Sequence, residues 1–242
     1  MAPSYAQEYT LTEQTSIHPP GRLNDLAATI DHTLLKPTAR QSEILALCDQ
    51  AVTWKFKAVC VQPSFLPLAR SRLAGSQVAC AVVCAFPHGA LLSAQKTAEA
   101  ELALSHGADE IDVVANLGQI RDGNWSAMET ELAQLRALGR YVLKVILETS
   151  ELDEAEKRAA TEVVAASGAD YVKTSTGFGS GGATPSDVAL LAEVAGQRCQ
   201  VKASGGIRNL DSALTLLSSG ASRIGTSQGV AILEQARSAG WI

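Results

Sequence analysis

Hydrophobic positions along the chain form eight short apolar runs, and a longer segment with helical spacing follows each run. The runs predict buried strands over residues 28–31, 58–61, 77–83, 110–114, 141–146, 171–173, 200–202 and 223–225. The helical spacing covers residues 42–51, 64–73, 93–105, 126–138, 152–167, 185–195, 210–218 and 230–238. Because strand and helix alternate with short connections, the pattern favours a single-domain (β/α)8 TIM barrel over a doubly wound sheet.

One short phrase occurs three times, at residues 105–112, 167–173 and 219–225. In each copy a glycine suits the left-handed position that ends a helix. The residue five positions after that glycine closes the next apolar run. Because α/β proteins bind ligands at the C-terminal ends of parallel strands, we expect these closing residues to lie at equal heights around one mouth. They are Asp112, Lys173 and Gly225.

Residues 1–22 precede the first strand–helix unit, and no linker-like segment indicates a second domain. We therefore predict a short N-terminal extension over residues 1–22 and one barrel domain over residues 23–242. The extension is either a flexible arm or a helix that closes the bottom of the barrel.

Composition excludes several classes of function. The net charge of -5 gives no electrostatic basis for binding nucleic acid or an anionic membrane. No apolar run is long enough to span a bilayer, and residues 1–14 lack the basic and apolar regions of a signal peptide. The five cysteines show no metal-ligand spacing with histidines. We expect a cytosolic protein with reduced thiols and with no metal or cofactor.

Two lysines carry the most informative chemistry. Lys173 ends the sixth predicted strand and Lys202 the seventh, and neighbouring strands lie about 4.8 Å apart. Repulsion between two close ammonium groups lowers the pKa of a lysine. A lysine that is neutral near pH 7 attacks carbonyl groups and forms a Schiff base. The alternative is that both side chains extend into solvent, but two adjacent strands ending in lysine are an uncommon choice for solubility.

Three further charged residues lie in predicted strands. Asp112, which ends the fourth strand, either holds a proton or orients water, or else is a structural partner for a lysine. Lys144 interrupts an apolar run, so it is inward and paired or the strand is wrongly assigned. Asp31 ends the first strand, and together with Asp112 it could neutralise part of the lysine cluster, since unpaired buried charges are costly.

Small residues follow the last three predicted strands. Barrels often bind phosphate on such loops, through backbone N–H groups and a helix N-terminus. The alternative is that the glycines only make tight turns. Arg208 is the nearest candidate cation. The candidate phosphate-binding residues are Thr176, Gly177, Gly205, Gly206, Gly225 and Ser227.

Three other residues near the predicted mouth have weaker signals. Cys60 either faces the cavity as a free thiol or is a buried small hydrophobe, and the second interpretation is favoured. Phe86 is interpreted as a wall or packing residue. No nucleophile is paired with His88.

Taken together, the motifs resemble those of the deoxyribose-phosphate aldolases, in the order found in that family and from about residue 22 to the last residue. The first 20 or so residues are not covered. The matching segments are Ile30-Asp-His-Thr-Leu-Leu-Lys-Pro, Val59-Cys-Val-Gln-Pro, Ala85-Phe-Pro-His-Gly, Glu110-Ile-Asp-Val-Val-Ala-Asn, Leu143-Lys-Val-Ile-Leu-Glu-Thr, Tyr171-Val-Lys-Thr-Ser-Thr-Gly-Phe, Val201-Lys-Ala-Ser-Gly-Gly-Ile-Arg and Arg223-Ile-Gly-Thr-Ser.

The resemblance implies a metal-free class I aldolase that interconverts 2-deoxy-D-ribose 5-phosphate with acetaldehyde and D-glyceraldehyde 3-phosphate. It implies that Lys173 forms the Schiff base, that Lys202 perturbs it, and that Asp112 serves a proton relay. It assigns phosphate binding to the loops that hold Gly177, Gly205, Gly206 and Ser227. Some relatives end in a mobile tail with a tyrosine, whereas this sequence ends in Gly-Trp-Ile, so that lid is not carried over. Expected partners are phosphorylated sugars, aldehydes and a second copy of the chain in a homo-oligomer, a dimer.

Two other functions stay open. One is a Schiff-base aldolase that acts on a longer phosphorylated sugar. The other is a non-catalytic, phosphate-sensing barrel, although such a protein would have no use for a lysine perturbed by neighbouring charge.

Overall fold

The computed structural model describes residues 21–242, so residues 1–20 of the predicted extension lie outside the described residues. Eight parallel strands close into a barrel in the order of the sequence, which confirms the predicted (β/α)8 fold. The strands are β1 Ile30–Leu34, β2 Ala58–Val61, β3 Ala79–Cys84, β4 Glu110–Val114, β5 Val142–Ile146, β6 Tyr171–Lys173, β7 Gln200–Ser204 and β8 Arg223–Thr226.

Helices surround the barrel. They are α1 Leu23–Ala27, α2 Gln41–Trp54, α3 Leu66–Leu73, α4 Ser93–Ser105, α5 Leu117–Arg121, α6 Trp125–Arg136, α7 Glu154–Ala166, α8 Pro185–Ala195, α9 Leu210–Ser218 and α10 Gly229–Ser238. The short helices α1 and α5 were not predicted. Helix α1 is joined to the end of the chain, because Leu23 N–H donates to the Ile242 carbonyl over 2.8 Å.

The local sequence explains where the helices begin and end. At the start of α7 the Asp153 carboxylate accepts the Glu156 N–H, and the Glu156 carboxylate accepts the Asp153 N–H, each over 2.8 Å. At the ends of three helices the repeated phrase supplies Gly107, Gly168 and Gly220, all with positive φ. The predicted helix-ending role of these glycines is therefore confirmed.

Two predicted strand ends need correction, because β1 and β7 run three and two residues past Asp31 and Lys202, to Leu34 and Ser204. The predicted range 110–114 of the fourth strand is confirmed, but Asp112 lies in the middle of β4 and not at its end. Lys173 does end β6. The first strand also begins at Ile30 rather than at residue 28, because residues 23–27 form α1. Asp31, Asp112 and Lys202 consequently lie inside the barrel, below its rim.

Inward side chains stack in layers of four, each layer drawn from alternate strands. Asp112 pairs with Lys144, and Lys144 pairs with Tyr171, which lies two residues before Lys173. Strands tilt in a closed barrel, so this stagger brings Asp112 and Lys173 to one height. The same register puts Gly225 in their layer, as predicted. The upper layer is Cys60, Asp112, Lys173 and Gly225; the middle layer is Asp31, Ala81, Lys144 and Lys202; the lower layer is Ala58, Glu110, Tyr171 and Arg223.

The apolar core lies outside the barrel, between strands and helices. Ile111 and Val113 alternate with Glu110 and Asp112 along β4 and belong to this core, with no exposed surface. The period of two along a strand thus separates an apolar outer face from a charged inner face. This division positions the site, because it fills the barrel interior with ionisable groups.

Candidate active site

Seven charged side chains fill the interior of the barrel, and each is at most 3% exposed. If all were ionised, four positive charges would face three negative ones, so the loss of one proton from the cations balances the cluster. A buried cluster is stabilised by such balance, because an uncompensated charge in the interior is costly. The cations are Lys144, Lys173, Lys202 and Arg223, and the carboxylates are Asp31, Glu110 and Asp112.

Asp112 lies at the centre of this cluster and contacts all three lysines. Its Oδ1 accepts Lys144 Nζ over 2.6 Å. Its Oδ2 accepts both Lys173 Nζ and Lys202 Nζ over 2.7 Å. Burial by itself would raise the pKa of Asp112, but the lysines outweigh burial and hold that pKa well below its ordinary value. Asp112 is therefore ionised, and one of its oxygens is shared by the two lysines that were singled out in the sequence.

A second set of contacts lies deeper, in the middle and lower layers. Asp31 Oδ2 accepts Lys202 Nζ over 2.5 Å, and Asp31 Oδ1 accepts Arg223 Nε over 2.9 Å. Glu110 Oε2 lies 2.5 Å from Lys144 Nζ and 2.9 Å from an Arg223 nitrogen. Lys144 is thus inward and paired, and Asp31 neutralises part of the cluster, as predicted.

Glu110 and Arg223 were missed in the sequence. The signal that could have found them is the period of two along a strand. Glu110 lies two residues before Asp112, and Arg223 lies two residues before Gly225, so each shares the inward face of its neighbour.

Lys173 differs from the other two lysines of the cluster. Its pKa is lowered, first by burial and then by the charge of Lys202, although Asp112 opposes the shift. The pKa values of Lys144 and Lys202 are raised, because their carboxylate partners outweigh burial. Repulsion between the lysines was predicted to tune Lys173, and the structure shows that burial is the larger cause.

A cavity of about 360 Å³ opens above Lys173, at the C-terminal ends of the strands. Lys173 borders it, whereas Asp112 and Lys202 lie under its floor. Lys36 also lines this cavity and was missed, since its loop carries no signal of where it points. All the predicted phosphate-binding residues are among its walls, namely Thr176, Gly177, Gly205, Gly206, Gly225 and Ser227, and so is Arg208.

Glycines shape the wall of this cavity. Gly177, Gly205 and Gly206 have φ values of +83°, +90° and +79°, which favour glycine. Within the described residues, the N–H groups of Gly205, Gly206 and Ser227 have no acceptor in the protein. Ser227 lies just before α10. Unpaired N–H groups on such loops, next to a helix N-terminus, form a suitable site for an anion.

Gly225 has a second role, because it makes room for Lys202. A Cβ atom at residue 225 would lie 3.1 Å from Lys202 Cε. The same Cβ atom would lie 3.0 Å from Ser204 Cβ, so any larger residue there would crowd both side chains.

Thr176 borders the cavity, but its hydroxyl is engaged within the protein. The hydroxyl donates to Glu148, and it also accepts the Phe178 N–H over 3.0 Å. The Thr176 N–H donates to Glu148 as well, over 3.2 Å. Thr176 and Glu148 therefore hold the loop after β6 in place. Glu148 was missed, and its left-handed backbone, with φ of +52°, has no sequence signal.

Cys60 and Phe86 have the roles that the favoured interpretations gave them. Cys60 is fully buried, with its sulfur 4.0 Å from Asp112 Oδ2. Burial, together with Asp112, raises the pKa of its thiol to about 11, so the thiol stays protonated at neutral pH. Phe86 packs edge-to-face against Phe178, with ring centroids 5.3 Å apart. His88 is exposed.

Sequence similarity identifies the family of this charged barrel. Residues 26–236 match the family model described as DeoC/LacD family aldolase. The chain belongs to this family. The resemblance carried by the motifs is thereby confirmed, and it covers almost all of the described residues.

Individual relatives support the same family assignment. This chain is 51% identical to a deoxyribose-phosphate aldolase of Deinococcus radiodurans over 86% of this chain and 95% of the relative. It is 47% identical to one of Rhodospirillum rubrum over 95% of this chain and 97% of the relative. A tetrameric deoxyribose phosphate aldolase of Aeropyrum pernix superposes with a TM-score of 0.82 at 34% identity, over 89% of this chain and 92% of the other.

Two further properties concern the described part of the chain. Between residues 21 and 242, no three His, Cys, Asp or Glu side chains are grouped so that they could hold a metal ion. In the same range, no helix has the length and apolar character needed to cross a membrane.

Proposed function

We propose that this chain is a class I aldolase that reversibly cleaves 2-deoxy-D-ribose 5-phosphate to D-glyceraldehyde 3-phosphate and acetaldehyde. The observation that carries the proposal is Lys173, a lysine with a lowered pKa that ends β6 and borders the cavity. Relatives named for this activity, at 46–51% identity over most of the chain, support the choice of substrate.

Covalent chemistry begins at Lys173. Its neutral amine attacks the C1 aldehyde of the open-chain sugar, and loss of water gives a protonated imine. When the C3 hydroxyl loses its proton, the C2–C3 bond breaks and its electron pair moves to the imine. Glyceraldehyde 3-phosphate leaves, and an enamine remains on Lys173. Protonation of the enamine at C2 and hydrolysis of the resulting imine release acetaldehyde and the free amine.

Proton transfer in these steps falls to Asp112 and Lys202. Asp112 Oδ2 accepts both Lys173 Nζ and Lys202 Nζ, so a proton can pass between the two amines through one oxygen. Because Asp112 lies below the floor of the cavity, it reaches the C3 hydroxyl through a water molecule. Its ionised state, which three lysines maintain, keeps it able to accept a proton.

The phosphate group binds to the loops after β6, β7 and β8. The unpaired N–H groups of Gly205, Gly206 and Ser227 supply hydrogen bonds, and the N-terminus of α10 adds its positive dipole. This binding lies away from the bond that breaks, so it positions the sugar over Lys173 and contributes to catalysis.

Trapping with borohydride tests the proposal. Reduction in the presence of 2-deoxy-D-ribose 5-phosphate or acetaldehyde is expected to label Lys173 and no other lysine, as mapped by peptide mass spectrometry. The variant Lys173→Met should take up no label and lose up to about 10⁶-fold in turnover, as enzymes do without their nucleophile. Label on Lys202 or on Lys144 would contradict the assignment. A panel of longer phosphorylated sugars separates this activity from related aldolases, and activity is expected to survive chelators.

The chain is further proposed to form a cytosolic homo-oligomer, a dimer. The tetrameric relative of Aeropyrum pernix supports self-association. All five cysteines are free and buried, which suits a reducing compartment. Light scattering coupled to size-exclusion chromatography measures the number of subunits, and a monomeric mass would contradict self-association.

A further inference from the structure

We infer that Arg223 and Glu110, in the lower layer of the barrel, are positioning residues that set the protonation state of Lys173 through the charge balance of the cluster. This inference rests on the proposed role of Lys173. Neither residue borders the cavity, so neither touches the substrate.

A series of contacts connects the lower layer to Lys173, four from Arg223 and three from Glu110. Arg223 donates to Asp31 and to Glu110. These carboxylates contact Lys202 and Lys144, which in turn contact Asp112. Asp112 contacts Lys173 over 2.7 Å. A change of charge in the lower layer therefore alters which partners the two inner lysines retain, and so how strongly Asp112 holds a proton on Lys173.

Charge counting gives the sign of the effect. With Lys173 neutral, three cations face three carboxylates inside a volume that solvent does not enter. Loss of Arg223 leaves three carboxylates facing the three lysines, so the balanced state is now the one in which Lys173 keeps its proton. Loss of the Glu110 charge removes a carboxylate, so a proton on Lys173 becomes less favourable.

Other ionisable groups around Lys173 do not change this sign. Cys60 has a raised pKa, so its thiol stays neutral over the working range. Strand β3 contributes Ala81 and Val83 to the inner face, neither of which ionises. From the loops above, Lys36 and Arg208 line the cavity, and they are the same in every variant compared, so they do not alter the direction of a difference between variants. The groups facing Lys173 from the barrel are Asp31, Cys60, Glu110, Asp112, Lys144, Tyr171, Lys202 and Arg223.

Arg223 is also shaped to connect two carboxylates. Its guanidinium is planar, stays protonated and offers several N–H donors, whereas a lysine offers one point charge. The guanidinium lies over the Tyr171 ring, 5.4 Å from the ring centre. Burial by itself would lower the pKa of the guanidinium, but Asp31 and Glu110 outweigh burial and raise that pKa, so the charge is fixed.

Opposite shifts in two variants test the inference. The pH dependence of kcat/KM is measured for Glu110→Gln and Arg223→Met, because its acid limb reports the pKa of the free amine. Glu110→Gln is expected to move the acid limb to lower pH, and Arg223→Met to higher pH, each by about one unit for the loss of one buried charge that does not contact Lys173 directly. The double variant restores the balance, so its limb should return toward the wild-type position.

Controls separate this inference from the proposed function and from misfolding. Circular dichroism and thermal melting identify variants that are folded, and Arg223→Lys keeps the charge while losing the planar geometry. If Arg223→Met does not fold, Glu110→Gln and the double variant decide. An acid limb that stays in place, or that moves in the same direction in both charge variants, would overturn the inference. Failure of borohydride to label Lys173 in the wild type would instead overturn the proposed function.

Discussion

The interior of the barrel and the rim above it differ in the residues that form them and in whether their polar groups are paired. Inside, each charged group is held by groups of opposite charge, and even the most exposed of the seven is only 3% exposed. At the rim, glycines and small side chains surround a cavity of about 360 Å³, and backbone N–H groups are left unpaired. The interior is closed and electrostatically balanced, whereas the rim is open and presents N–H donors toward the cavity.

This difference indicates how changes in each region will appear in kinetics. A change in the interior acts on the proton of Lys173, so it should alter kcat and the pH profile. A change at the rim acts on a part of the substrate that does not react, so it should alter KM for phosphorylated sugar and leave other sugars unaffected.

The largest effect after loss of Lys173 itself is expected from Lys202→Leu. This variant removes the repulsion that lowers the pKa of Lys173, and it leaves Asp112 freer to hold a proton there. The pKa of Lys173 should rise, so the acid limb of the pH–rate profile moves to higher pH. It should stop short of the ordinary value of about 10.4, because burial remains. Turnover at neutral pH should fall at least about a hundredfold.

Lys96→Leu is the matched control for Lys202→Leu. Lys96 is equally buried, but it pairs with Glu131 over 2.8 Å outside the barrel. Its loss should lower the melting temperature and leave the acid limb in place, because within residues 21–242 its Nζ bonds only Glu131 and the Val114 carbonyl, and none of the inner carboxylates. If both variants shift the limb alike, loss of buried lysines in general, and not the charge beside Lys173, controls the pKa.

A change at the rim should have a smaller and more selective effect. Gly206→Leu is expected to raise KM for 2-deoxy-D-ribose 5-phosphate about tenfold or more, since a side chain there fills the space next to the phosphate loops. Gly75→Leu is the control, because Gly75 has φ of +78° against +79° for Gly206 and both have open space around the missing Cβ. The backbone strain is therefore similar in the two variants, but Gly75 lies away from the cavity.

Unphosphorylated deoxyribose completes the test of the rim. Its KM should change little in Gly206→Leu, because it has no phosphate to place. Equal losses with both sugars would mean that the variant disturbs the fold or the lysine site, and the phosphate assignment would have to be withdrawn.

The sequence predicted the rim more completely than the interior. Each predicted loop residue borders the cavity. A glycine-rich loop near the C-terminal end of a strand predicts a rim position even when the exact last residue of the strand is wrong. The interior depends on register, and the strands run past Asp31, Asp112 and Lys202 to different extents. A misplaced strand end changes a residue from the rim to the interior, and only the pairing between strands corrects it.

Residues outside any periodic pattern could not be predicted. Glu148 acts from a left-handed backbone position, and Lys36 acts from the loop after β1. Their roles depend on how two loops approach each other in space. No periodic pattern or motif in a single sequence indicates that approach. Arg223 is a different case, since it follows directly from counting two residues back from Gly225.

The smallest expected effect concerns Lys36 at the rim. Like the charged groups of the interior, Lys36 forms an ion pair. Lys36 lines the cavity, and its Nζ lies 2.5 Å from Glu43 Oε1, but the side chains are 49% and 38% exposed. Solvent screens such a pair, so each change should alter KM for the phosphorylated sugar only a few-fold.

Lys36→Met should raise that KM, because a cation near the phosphate is lost. Glu43→Gln should lower it, because Lys36 is released from its partner. Both effects should shrink as salt is added and vanish with unphosphorylated deoxyribose. If Glu43→Gln instead raises KM as Lys36→Met does, the pair matters by holding the loop after β1 in shape, and the rim then recognises phosphate through its backbone alone.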